Sequence, residues 1–398
     1  MSQIICFTAN VLKGICRNIY FISIGDFWYE HTERPKWKEI LYKIYSFVAT
    51  TIVYVTIINE FLEVIFNSFP EAQHRDALSY SMAHINIYFK LYLFKRAKSE
   101  IKVMIKELID ACYGYENIEL LKNQRRKIKW AVILQFIVIY FALIMYIFEG
   151  LRRMYFEGDI YISLVTYWPF YEDRSRFATI MRMFISPTIF FMMASMIFSE
   201  SLIIAYVIII ASKFKSLKIY FENMRIEFES KMHRENIIVL RQKLKDDCLN
   251  GILMHRELLR LTRKVQKVFG IMIALQVCQT SAVATLVLLR LTHPKTLPNI
   301  LMSLLFATAL FIQLALYLWN AGDITVNAAL LPDAIFHCGW YMCPIEQPSY
   351  HDIRRLVLMG CAQAQKPVIL KAFGLQDLSH QTFAAVVRTT YSIFAFFH

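Results

Sequence analysis

The chain has 398 residues, of which 57% are hydrophobic and 19% charged, with 11 glycines, 10 prolines and a net charge of +13. A soluble domain averages about 25% charged residues, and a soluble chain this apolar would expose too much hydrocarbon-like surface. The few glycines and prolines exclude a turn-rich sandwich, a collagen-like repeat and a disordered linker. Basic residues cluster at the ends of apolar runs, where they orient a membrane protein and do not form a nucleic-acid surface, so no nucleic-acid partner is expected.

A spanning helix needs about 20 mostly apolar residues. In chain order the first such run is 44–66, with Glu60 and Glu63 near one end, followed by 77–94, which carries His84 and Lys90. Residues 130–148 are free of charge, and 183–212 carry Glu200 alone. Residues 268–289 and 296–322 contain no Asp, Glu, Lys, Arg or His, and the Phe-rich run 378–397 encloses His380 and Arg388. The predicted fold is an all-α membrane protein with seven transmembrane helices. Lys and Arg number 6 up to Lys43, 10 in 95–129, 14 in 213–267 and 4 in 323–377, against 8 in the alternate connections. The positive-inside rule then places the N-terminus in the cytoplasm and the C-terminus outside, the reverse of a G-protein-coupled receptor.

The cytoplasmic connections read as helices. Leu217, Phe221, Met224, Phe228 and Met232, then Leu240, Leu244, Cys248 and Ile252, keep helical spacing across 213–262. Segment 95–110 continues the second span in the same way. Spans two, four and five are therefore expected to extend beyond the bilayer, the alternative being helices that lie flat on the headgroups.

Signals of chemistry are sparse. There is no Gly-rich phosphate loop, no G-x-S-x-G, no H-E-x-x-H and no metal-ligand spacing, so no enzyme, metal or cofactor is expected. Among eight cysteines only Cys338 and Cys343 are close in sequence. The intramembrane charges His84, Lys90, Glu200 and Arg388 have no partner at helical spacing, although Lys90 and Glu200 lie at depths that allow an interhelical pair. His84 reads equally well as a functional group or as a hydrogen bond to a neighbouring helix. One face of the last span carries Gln381, Ala384, Ala385, Arg388, Ser392, Ala395 and Phe396; the other carries Phe383, Val387, Thr390, Phe394 and Phe397. A small, polar stripe suits a water path, and equally a small-residue packing seam. The outer halves of spans two, three, four and six are rich in rings and Met, among them Tyr80, Tyr140, Met145, Tyr146, Phe148, Met181, Phe184 and Phe306. Such a surface suits a small apolar ligand or an ordinary bundle core.

GWYMCP (339–344), AQKP (364–367) and LSHQTFAAVVRTTYSIFAFF (378–397) together resemble the C-terminal signature of insect odorant receptors, and YWPF (167–170) resembles their Trp-Pro loop element. The resemblance implies an odorant-gated, non-selective cation channel in the plasma membrane of sensory neurons. Its odorant subunit joins a coreceptor in a heterotetramer around a central pore. It also implies a six-helix bundle over 1–322 that includes part of the cytoplasmic anchor (213–262). Residues 323–398 supply the remaining anchor helices, with Trp340 and Tyr341, and a pore-lining last helix with Ser392 and a gate at Phe396. The odorant pocket falls on Tyr80, His84, Tyr146, Gly150, Met154, Met181, Phe184, Thr188 and Phe306. The long fourth-to-fifth connection fits the family, and because the coreceptor's is longer still, the resemblance points to the ligand-tuning subunit. Arg388 on the pore stripe departs from what a cation path would be expected to carry. A gustatory-type channel of the same fold, a metabotropic receptor and a transporter are the alternative readings.

Overall fold

The structure is a computed structural model and describes residues 2–30, 34–66, 71–112, 115, 117–233, 236–289, 297–343 and 348–397. Its helices are α1 (Ser2–Phe21), α2 (Lys36–Phe66), α3 (Glu71–Arg96), α4 (Lys98–Asp110), α5 (Ile118–Arg152), α6 (Arg176–Lys231), α7 (Ile237–Leu289), α8 (Leu297–Ala329), α9 (Leu331–Phe336), α10 (Pro348–Ala364) and α11 (His380–Phe397). A π-helical turn, Arg153–Glu157, ends α5, and a two-stranded hairpin, β1 (Lys371–Ala372) and β2 (Gln376–Asp377), precedes α11.

The bundle is organised around α6, which runs for 56 residues and packs against α5, α7 and α8. Every residue from 199 to 211 is buried, so this helix is apolar all round because it has protein on every side. In α2 and α5 only 22% of the most apolar stretch is buried, against 83% in α6. Their outward faces display Ile44, Phe47, Ile52 and Ile58 on α2, and Ile137, Phe141, Ile144 and Phe148 on α5. In water such faces would drive aggregation, whereas in lipid they are the matched surface.

Among the described residues, α2, α5, α6, α7 and α8 are long and apolar enough to cross a membrane. The predicted spans in α3 and α11 do not reach that standard. His84, Asn86 and Lys90 dilute α3, while Gln381, Arg388 and several hydroxyls dilute α11.

Three local features depart from the sequence reading. The second span does not continue unbroken into 95–110, because the chain turns at Ala97 (φ −79°, ψ 7°) and restarts as α4. Helix α1 was not foreseen, since Lys13 and Arg17 interrupt its apolar run. Its buried residues Leu12, Ile15, Cys16 and Ile19 nevertheless form one face against α4 and α6. The carbonyls at its end are satisfied from α2, Tyr42 Oη donating to Tyr20 O at 3.1 Å and Tyr45 Oη to Phe21 O at 2.9 Å. The 371–377 hairpin was not foreseen either. In its three-residue loop Phe373 and Gly374 both have positive φ (51° and 73°), and Leu375 N donates to Ala372 O at 3.0 Å to close the turn.

Beyond the apolar spans, α6 and α7 form a long helical hairpin that buries Leu217, Phe221, Met224, Phe228, Leu240, Leu244 and Cys248 along the predicted stripe. Gly251 is required there, because a Cβ would sit 2.4 Å from Cζ of Phe221. Helix α4 is tied to α7 by Glu107, which accepts from Lys264 Nζ at 2.6 Å and Arg260 Nη1 at 3.2 Å. Burial opposes ionisation of Glu107, but those cations outweigh it and hold its carboxyl below the usual range. The Sγ atoms of Cys248 and Cys338 lie 3.5 Å apart, a proximity the spacing of Cys338 and Cys343 did not announce.

Candidate ligand-binding cavity

A cavity of about 80 Å³ lies among α3, α5, α6, α7, α8 and the loop after the π-turn. That size excludes a peptide. Its wall is apolar, with Ile87, Ile139, Leu143, Ile189, Met193 and Leu310 facing inward. Tyr80 is the aromatic hub. Its ring meets Tyr146 edge-on at 5.5 Å, Phe306 at 5.7 Å and His84 in a stack at 6.3 Å.

The 158–175 loop covers one end and contributes Ser163 and Leu164 to the lining. Ser186 of α6 joins that loop to the bundle, its Oγ lying 2.8 Å from Tyr161 Oη and donating to Ser163 Oγ at 2.9 Å. The loop also descends onto α5 at Gly150, where a Cβ would stand 2.5 Å from the carbonyl oxygen of Ile162. The YWPF element is held by Asn59 of α2, which donates through Nδ2 to Trp168 O and accepts from Trp168 N at 2.8 Å. Arg182 donates to Phe170 O at 2.6 Å and to Asp173 O at 3.0 Å. The Trp-Pro motif is thus the far anchor of the lid.

The opposite end is polar. Lys90 of α3 donates to Glu200 Oε1 of α6 at 2.6 Å and to Gln276 Oε1 of α7. Gln276 Nε2 donates to Gln313 Oε1 of α8 at 3.0 Å, and Gln313 Nε2 donates back to Glu200 Oε2. The ring is closed and its polarity has one solution, since an ammonium only donates and a carboxylate only accepts. All its members are buried, Lys90 at 6% exposure and Glu200 at 1%. Beside it, Asn86 Nδ2 donates to Leu275 O at 3.1 Å and to Gln279 Oε1, and His84 Nδ1 meets Glu60 Oε2 at 2.6 Å. In hydrocarbon such groups stay only when satisfied by one another.

A second, more polar cavity of about 60 Å³ adjoins the first and shares Tyr80, Tyr146, Ser163 and Leu164 with it. Glu149, Arg153 and Asp159 border it, Glu149 accepting from Arg152 Nε at 2.7 Å and Arg153 Nε at 2.9 Å.

Of the residues the sequence nominated, Tyr80, His84, Tyr146 and Phe306 line the main cavity, and Gly150 lines the second. Met154, Met181, Phe184 and Thr188 line neither, and Phe184 is 64% exposed on the outer flank of α6. Lys90 and Glu200 form the interhelical pair, and His84 shares a hydrogen bond with the Glu60 carboxylate of α2. Charge was the signal used to grade spans, so Gln276, Gln279 and Gln313 escaped notice within runs free of charge. Uncharged amides repeating at i, i+3 inside a membrane helix were the signal that could have found them.

Elsewhere, Trp340 donates through Nε1 to Phe336 O at 2.8 Å within a 3-10 turn, and Tyr341 beside it is 48% exposed. On α11, Thr382, Val386 and Thr390 are buried against the bundle. Gln381, Ala384, Ala385, Arg388, Ser392, Ala395 and Phe396 are exposed, Phe396 at 83%. The side chain of Phe397 lies outside the described residues.

A bundle of this connectivity, with apolar outward flanks and a largely apolar cavity, defines an all-α membrane protein. Its fold is that of the insect olfactory receptor OR5 from Machilis hrabei, matched with a TM-score of 0.80 in the structure with eugenol and 0.78 in a second structure of the same receptor. Both matches have 13% identity; each covers 97% of this chain, and 97% and 98% of those chains respectively. The "Putative odorant receptor 85d" of Drosophila melanogaster is 18% identical over 401 residues, covering 95% of this chain and 91% of that protein. The sequence profile "7tm Odorant receptor" matches residues 72–391. The chain belongs to the odorant receptor family.

Proposed function

We propose that this chain is the ligand-tuning subunit of an odorant-gated, non-selective cation channel, joining coreceptor subunits in a heterotetramer in the plasma membrane. The observation that carries the reading is the largely apolar cavity centred on Tyr80, within a fold shared by a receptor that has been solved with eugenol. By that analogy the ligand is a small, volatile, mostly apolar molecule. The distribution of Lys and Arg supports seven spans with a cytoplasmic N-terminus and an external C-terminus. The exposed stripe on α11 supports a pore wall completed by other subunits, with Phe396 as the hydrophobic constriction. The exposed Tyr341 and the long α6–α7 hairpin suit an intracellular anchor between subunits.

The test is a whole-cell recording across an odorant panel, from cells expressing this chain with and without a coreceptor. A current that requires both the chain and an odorant supports the reading. Odorant responses carried only through a G protein, with no current of their own, overturn it.

A further inference from the structure

The amide donors of the polar ring are already committed, and Lys90 has two of its three engaged. Lys90 serves Glu200 and Gln276, Gln276 serves Gln313 and Thr280, and Gln313 serves Glu200 and the Met196 Sδ. Gln279 differs. It lies on α7 one turn beyond Gln276, lines the cavity and is 7% exposed. The orientation of its amide is decided by a chain of partners. The Leu275 carbonyl can only accept, which fixes the Nδ2 of Asn86 toward it. That same Nδ2 meets Gln279 Oε1, so the oxygen of Gln279 is turned to Asn86 and its nitrogen is the free end. The two amide hydrogens of Gln279 find no acceptor among the described residues, in a cavity whose wall is mostly apolar, with Tyr80, His84, Tyr146, Ser163 and Gln313 as its other polar-bearing residues.

A donor that faces a mostly apolar cavity without an acceptor is costly, and a ligand that supplies the acceptor recovers that cost on binding. We infer that Gln279 is a specificity-determining residue and that the ligand is an oxygenated apolar molecule whose acceptor oxygen receives the Gln279 Nε2–H bond. The oxygen would sit at the polar floor and the hydrocarbon body against Tyr80, Phe306 and Leu310. This deepens the function proposed above and rests on the cavity being the ligand site. A ketone is the most direct probe, because its oxygen accepts and cannot donate.

The experiment compares 2-octanone with its hydrocarbon isostere 2-methyloctane by thermal-shift titration of the full-length receptor in lipid nanodiscs. Wild type is expected to bind the ketone about tenfold more tightly, the usual value of one buried hydrogen bond. Gln279→Met keeps the volume and removes the donors, and should reduce the preference to about onefold by weakening the ketone alone. Equal affinities in wild type overturn the inference, as does failure of both ligands to bind, or a preference that survives intact in Gln279→Met. Because the wild-type pair is decisive by itself, poor folding of the variant does not rescue the idea. Recording current with the same two ligands separates this inference from the channel reading. Ketone-selective binding without current sinks the channel and spares Gln279, whereas current without ketone selectivity does the reverse.

Discussion

Lys90 and Glu200 are separated by 110 residues in the chain and by 2.6 Å in the bundle. Each would be intolerable alone at 6% and 1% exposure. Removing one partner of a buried ion pair strands the other, at a typical cost of about 3–5 kcal/mol, while replacing both by apolar groups of similar size is often close to neutral. Lys90→Met should therefore lower the thermal midpoint of the purified protein sharply and reduce its surface abundance. Lys90→Met combined with Glu200→Met should regain much of that loss, although Gln276 and Gln313 would each keep one unmet group. A double variant less stable than Lys90→Met would show that the pair contributes little and that the two amides hold the floor together. The same logic explains Gln313, whose two amide hydrogens are spent on Glu200 and Met196 and which therefore closes the floor without offering a donor upward.

Helix α11 is the element whose two faces differ most. Its Thr382, Val386 and Thr390 repeat every four residues against α7 and α8, and Thr390 donates to Val386 O at 2.8 Å instead of facing outward. The stripe with Ser392 and Phe396 turns away from its own subunit. A bulky ring on an otherwise small and polar stripe is the arrangement that closes a pore by dewetting. Phe396→Ser, co-expressed with coreceptor, should raise basal current or shift the ratio of cation permeabilities, diluted by the rings that partner subunits supply. Val386→Ser, on the packed face, should lower expression or sensitivity and leave permeability ratios unchanged. Reversal potentials in exchanged cation solutions decide between them. If Val386→Ser alone moves the ratios, the pore stripe lies on the other face of α11.

For the whole molecule, the proposed orientation rests on where the basic residues lie relative to the apolar runs. The connections at the α4, α6–α7 and α10 end, together with the N-terminal segment, hold 34 Lys and Arg, against 8 on the other side. The cavity lies toward the poorer side, beneath the 158–175 loop, and the ion-paired Glu107, Lys264 and Arg260 lie toward the richer one. An epitope fused after His398 should label on intact cells, and one fused before Met1 only after permeabilisation. The opposite labelling would place the cavity on the cytoplasmic side and remove the basis for ligand access from outside.

The apolar runs were legible because membrane partition acts on each helix locally. About 20 consecutive residues must each tolerate hydrocarbon, and composition alone reports that. For the same reason the α6–α7 stripe was readable, as every contact in it repeats at helical spacing. Tyr80, His84, Tyr146 and Phe306 were legible as ring- or charge-bearing residues near one level of the bundle, and Met181 and Phe184 were named on the same ground. Which side of a helix faces a cavity depends on its rotation against its neighbours, and in lipid an apolar face gives no signal of whether hydrocarbon or protein covers it. Tertiary structure alone therefore placed Phe184 on the outer flank and Leu310 in the wall. It also closed the ring of Lys90, Gln276, Gln313 and Glu200. Those partners come from four separate helices, and a hydrogen bond depends on distance in space, which spacing along the chain does not record.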